Sequence, residues 1–252
     1  MLQVMKKTIL LLITLAFFAC SDDANDFSPE LSGTGTGGSL AKFTVINNHL
    51  VVLNGQNVRN YTIEPGGELT FVNEVFVGGQ LETIFPYGNN NLLVGSSNAV
   101  HFLGILSDDR IGYISSYEHL TACDPVVARD GIAFSTLKIS DCRSGTIDFL
   151  EAIDISDIEN PKVLRVYETR SPFGLAVSNS RLFVCEKGGL TMYHYTDTGT
   201  LTEIDFKELP GAIPLDVIIS DTNLIIRTDN GFYNITYGDT SLGAVQGSVT
   251  AD

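Results

Sequence analysis

Tryptophan is absent from this chain, and only three methionines, four histidines and four cysteines occur in its 252 residues. With no Cys-x-x-Cys pair and no histidine cluster, a zinc site of the usual spacing is excluded. Cations are scarce as well: 15 Lys and Arg stand against 30 Asp and Glu, a formal net charge of −15. Such a surface repels polyanions, which argues against nucleic acid as a partner. Catalytic signatures are also missing. Gly95-Ser96-Ser97 lacks the Gly-x-Ser-x-Gly elbow of a serine hydrolase. The Gly-rich runs at 33–38 and 66–67 precede no helical pattern, as a phosphate loop would.

What the chain does contain is strand chemistry. Gly and Asn are plentiful, and β-branched and aromatic residues come in short runs separated by turn residues, the pattern of an all-β protein.

The first 19 residues read as a signal peptide. Lys6 and Lys7 form a basic start, and Thr8 to Ala19 is an apolar run of about twelve residues, short of the ~20 a bilayer crossing needs. Phe17-Phe18-Ala19-Cys20 resembles the bacterial lipobox, a small residue directly before a Cys, although an aromatic residue stands at its first position. On this reading Cys20 is the lipid attachment point, and acyl chains at ~0.8 kcal/mol per buried CH₂ anchor the protein to a membrane. The alternative is an ordinary signal peptide with an incidental Cys. Ser21-Asp22-Asp23 fits sorting to the outer membrane and resembles the surface-export signal of Bacteroidota lipoproteins; a solvated linker would read the same way. Residues 20–38, rich in Ser, Pro, Thr, Gly and acids, form a flexible tether.

From Ser39 a repeat sets in. Second strands align as HLVVLN (49–54), NLLVGS (91–96), GIAFST (131–136), RLFVCE (181–186) and NLIIRT (223–228). Each is followed by a third: VRNYTI, AVHFLGI, FLEAIDI, GLTMYHY and GFYNITY. Units of roughly 40–50 residues with four strands each predict β-propeller blades. Residues 39–252 are therefore expected to form one five-bladed propeller of four-stranded antiparallel sheets. The longest interval falls in the third unit, where 137–148 is an insertion between the second and third strands. A solenoid is the rival architecture, but an open array needs polar capping repeats and neither end shows one. The outer strand of the last unit (Leu242 to Val249) is only weakly written, which leaves ring closure open.

The segments GGSLAKF (37–43), LETIFPYGNNNLLVGS (81–96), TACDPVVARDGIAFSTL (121–137), EAIDISDIENPKVL (151–164) and SPFGLAVSNSRLFVCE (171–186) resemble LVIVD-repeat proteins. These are bacterial lipoproteins, common in Bacteroidota, expected to form β-propellers. The resemblance runs over 37–237. The family follows an aliphatic strand with Asp-Ile-Ser-Asp-Pro-x-Asn-Pro, and 154–161 keeps that corner with Ile158 in place of the first Pro. The family carries no established enzymatic activity, so the resemblance implies fold and address only.

Beyond Cys20 three cysteines remain. Cys123 opens a first strand and Cys142 lies in the long second loop of the same unit, on one face of a propeller, so a disulfide between them is expected in an oxidising compartment. Closing a loop of about 20 residues contributes roughly 3 kcal/mol. Cys185 reads as a small apolar filler. Stacking the starts of the innermost strands places Glu82, Asp124 and Asp216 near one mouth of the central channel. Three converging carboxylates would suit Ca²⁺ or a cationic ligand, or acid–base chemistry. They would equally serve to tie down the loop entering each blade, as a feature repeated blade by blade tends to do. No other cofactor is implied.

Together these features predict a non-enzymatic, membrane-anchored lipoprotein of the outer membrane, on its periplasmic or surface-exposed side, whose propeller binds a protein or glycan partner. The alternative is a saccharide-acting enzyme using Glu82, Asp124 and Asp216.

Overall fold

A computed structural model describes residues 38–119, 125–138 and 147–250. Twenty strands form five separate antiparallel sheets, each built from four strands consecutive in sequence. Blade 1 holds β1 (Phe43–Ile46), β2 (His49–Asn54), β3 (Asn57–Ile63) and β4 (Leu69–Phe76). Blade 2 holds β5 (Leu81–Tyr87), β6 (Asn91–Ser96), β7 (Ala99–Ile105) and β8 (Ile111–Glu118). Blade 3 holds β9 (Val126–Arg129), β10 (Ile132–Leu137), β11 (Asp148–Asp154) and β12 (Lys162–Thr169). Blade 4 holds β13 (Pro172–Ser178), β14 (Arg181–Glu186), β15 (Gly189–Tyr195) and β16 (Leu201–Glu208). Blade 5 holds β17 (Pro214–Ser220), β18 (Asn223–Thr228), β19 (Gly231–Tyr237) and β20 (Leu242–Thr250). This is the expected five-bladed β-propeller. No helix among the described residues is long and apolar enough to cross a membrane.

Local chemistry explains the repeat. The turns between first and second strands put Asn47, Asp130, Ser180 and Asp221 at positive φ, with Gly131 (φ 84) beside Asp130. Two-residue hairpins that match strand twist need that left-handed conformation, which Asn, Asp and Gly adopt most readily. In blades 2, 3 and 4 the middle strands are largely buried on both faces and read as apolar runs, whereas the outer strands are largely exposed. Every blade also has a bulge at one place, where third and fourth strands change register: after Asn60, Phe102, Ala152, Met192 and Asn234. A bulge there adds the twist that turns the outer edge of each blade away from its neighbour. The corner at 154–161 is held by its own carboxylates. Asp154 accepts from the backbone and side chain of Ser156, and Asp157 from Glu159 N and Asn160 Nδ2, so both acids sit below their ordinary pKa.

Two boundaries differ from expectation. The second strand of blade 3 is Ile132–Leu137, one residue later than GIAFST, because Gly131 is spent on the turn. The weakly written outer strand of blade 5 is the longest of all, Leu242–Thr250. Leu242 is buried in the blade 4–5 cluster, and the residues after Gly243 lie exposed along the edge.

Hydrophobic clusters join blade 1 to 2, 2 to 3, 3 to 4 and 4 to 5. Among the described residues no such cluster joins blade 5 to blade 1.

Candidate functional site

The pairing register defines equivalent positions in all five blades. The third-strand residue opposite the fourth residue of the second strand is Arg59, His101, Glu151, Thr191 or Tyr233. Two polar members of this set bond to the last residue of their own second strand, across the hairpin, while Arg59 pairs with Glu74 on the fourth strand. His101 Nε2 lies 3.1 Å from Ser96 Oγ, and Thr191 Oγ1 donates to Glu186. In blade 3 the corresponding residue is Leu137. At that place Leu137 offers Glu151 no polar side chain.

It turns to blade 2 instead. Glu151 is only 8% exposed, shares a hydrogen bond with the hydroxyl of Tyr117 on β8, and feels the charge of His119 just beyond that strand. Its second oxygen, Oε2, is buried without a hydrogen-bond partner among the described residues. Burial raises the Glu151 pKa, against the opposing pull of His119 and the Tyr117 hydrogen bond. The Tyr117 hydroxyl is raised in turn, by burial and then by the Glu151 charge. His101 is lowered, by burial first and then by His119. Tyr117 and His119 are in tilted ring contact, centroids 6.4 Å apart. On the far side of blade 3, the buried Lys138 sets its ammonium 3.4 Å from the centroid of Phe173, a cation–π contact that occupies that ring.

Glu82 and Asp216 do not share a register position. Leu81 pairs with Ser96 and Thr83 with Gly95, while Pro214 pairs with Thr228 and Asp216 with Arg227. Glu82 is thus the equivalent of Leu215, and Asp216 that of Thr83. Asp216 accepts from Ser39 Oγ (2.9 Å), Leu40 N (3.4 Å) and Val217 N (3.0 Å), which oppose the upward pull of burial on its pKa. Glu82 lies half-buried at the second residue of β5. Asp124, the expected disulfide partners Cys123 and Cys142, and the lipid-attachment residue Cys20 all lie outside the described residues. Among the described residues no group of three His, Cys, Asp or Glu side chains gathers that could hold a metal ion. Cys185 is fully buried, with a thiol pushed up by burial.

Glu151 was not singled out by the sequence. One signal was there: of the five third strands, only that of blade 3 carries carboxylates.

No family model matches the chain, and no curated protein does. Solved structures share the fold. A protein from Lactobacillus plantarum superposes with a TM-score of 0.66 at 15% identity, covering 81% of this chain and 68% of that one. A functionally unknown protein from Desulfotomaculum acetoxidans gives 0.62 at 18% identity, covering 81% and 68%. Virginiamycin B lyase from Staphylococcus aureus gives 0.57 at 13% identity, covering 85% and 70%. These similarities place the chain in the β-propeller class. They also correct the expectation of a non-enzymatic protein, since the same scaffold serves a lyase; fold leaves enzymatic status undecided.

Proposed function

We propose that this protein is a membrane-tethered propeller that receives a hydrogen-bond donor of a glycan or protein partner at the blade 2–blade 3 junction, with Glu151 as the acceptor. One observation carries this reading: Glu151 Oε2 is buried with no hydrogen-bond partner among the described residues, at a position where His101 and Thr191 have partners. Buried polar groups are rarely left unmatched, and a ligand hydroxyl or amide is one way to match them. The tether is the sequence reading of Cys20 as a lipidated residue, with the LVIVD-type repeats following it. That reading places the propeller at the outer membrane, on its periplasmic or surface side.

The same carboxyl favours a second reading. A carboxyl whose pKa is raised by burial, set beside the Tyr117 hydroxyl, suits a general acid toward a saccharide. The test is a screen of the full chain against glycan arrays and chromogenic glycosides, read for both retention and turnover. Saturable binding lost in Glu151→Gln supports the binding reading, and turnover lost in that variant supports the catalytic one. A ligand whose binding is untouched by Glu151→Gln would sink both. Palmitate labelling that survives Cys20→Ala would remove the tether.

A further inference from the structure

The seam between blade 5 and blade 1 is closed by different means from the other four interfaces. In the first strand, the residue opposite the fourth position of the second is Ile84, Val126, Leu175 or Val217, each 1% exposed or less. In blade 1 the same residue is Phe43, 62% exposed. On the other face, the third-strand residue opposite the fifth position is Val58, Val100, Leu150 or Leu190, all fully buried; in blade 5 it is Phe232, 50% exposed. Both terminal faces are apolar and uncovered. No strand is exchanged between the end blades either, since each sheet is one contiguous stretch of chain.

What joins them is the segment Gly38-Ser39-Leu40. Ser39 is buried, donates its hydroxyl to Asp216 Oδ1 and accepts from Leu175 N at 2.8 Å, while Leu40 N donates to Asp216 Oδ2. The fit is close: a Cβ on Gly38 would come within 2.1 Å of Asp216 Oδ2, and one on Gly174 within 2.4 Å of Oδ1. On the other side Ala41 O accepts from Ile84 N, fixing the same segment to blade 2.

We propose that Gly38-Ser39-Leu40 is a releasable latch: among the described residues its docking on Asp216 and Leu175 holds the first blade to the last two, and its withdrawal opens the ring at this seam while the other four interfaces stay packed. Three hydrogen bonds contribute on the order of 1 kcal/mol each. Opening here is a local event well below the cost of global unfolding, because no apolar cluster must come apart. Release would free the Asp216 carboxylate, which the latch now engages, beside the already exposed Phe232.

Hydrogen exchange on the full chain tests the latch in Ser39→Ala, Asp216→Asn and Gly38→Ala, the last of which intrudes on Asp216 without removing a polar group. Amides of 40–46 and 215–219 should exchange about tenfold faster or more in all three, as loss of one or two of these bonds implies. Those of Leu93, Phe134 and Phe183, inside the packed interfaces, should stay within about twofold of wild type. Acceleration spread evenly over all five blades, or none at the seam, would overturn the proposal. Should the variants not fold, the wild-type chain decides: its seam amides must exchange ahead of the interface amides, and equal rates would refute the latch.

Discussion

Four of the five junctions between neighbouring blades are apolar clusters with a polar stitch at the rim, and the fifth, among the described residues, is a polar stitch alone. At the blade 1–2 junction, Ile46, Val51 and Val58 pack against Ile84, Leu92 and Val94, while Asn73 bonds both backbone groups of Ile111. At the seam, equivalent side chains are present but face no cluster, and Asp216 with Ser39 does the joining. The difference teaches that the repeat writes both faces of every blade, the terminal ones included, whether or not a neighbour arrives to cover them. Apolar terminal faces are what a ring-forming repeat should carry, and polar caps are what a solenoid would have added.

The contrast is broken most directly by truncation. Phe134 is fully buried between blades 3 and 4 and meets the Tyr195 ring edge-on at 5.0 Å. Phe134→Ala should cost about 3–5 kcal/mol in urea unfolding. Phe43→Ala and Phe232→Ala remove side chains as large from the seam and should each cost less than about 1 kcal/mol, because half or more of each is already in water. Equal losses at the two kinds of site would mean that the seam is packed in solution.

A gentler probe uses chemistry that one interface already contains. Cys185 occupies the fifth position of its second strand, where blade 5 has the exposed Arg227. Cys185 is fully buried and its thiol is held protonated, so it is shielded twice over. In Arg227→Cys, peptide-level mass spectrometry should find the new thiol alkylated about a hundredfold faster than Cys185, a difference set by local opening. Comparable rates would erase the distinction between seam and interface.

The fold was legible because its information is local and repeated. Turn residues at Asn47, Asp130 and Asp221, with the apolar second strands between them, locate each blade without tertiary knowledge. The seam was not legible, because Phe43 and Phe232 look like their buried equivalents; only the missing neighbour distinguishes them. Register was the second blind spot. Stacking Leu81 on Leu215 puts Glu82 and Asp216 together, but the first paired residue of β17 is Pro214, so the ladder, with the same bulge in both strands, sets the two one place apart. Glu151 was overlooked for a related reason: its isolation depends on Leu137 standing where Ser96 and Glu186 stand in other blades, a comparison that a one-residue error in the blade 3 alignment hides.

The smallest predicted effect sits at that carboxylate, and it asks whether a packed interface can carry a polar cost that the seam does not. Glu151 holds its proton more tightly in the folded protein than at its ordinary value of 4.5. Below pH 4.5 the group is protonated in both states and the interface bears no penalty. Between that value and the raised folded pKa, folding takes up a proton, so stability must fall as pH rises, and it levels off above the folded pKa. Glu151→Gln keeps a group that can bond Tyr117 but removes the ionisation. The variant should therefore match wild type at the acid end and exceed it by about 1 kcal/mol at neutral pH, the order of cost for a buried acceptor left unmatched. Urea midpoints measured across pH 4 to 8 decide the matter. A difference that is flat with pH would show that Glu151 is ionised as readily in the folded chain as in the unfolded one, and the blade 2–blade 3 junction would then be as wet at that point as the open seam.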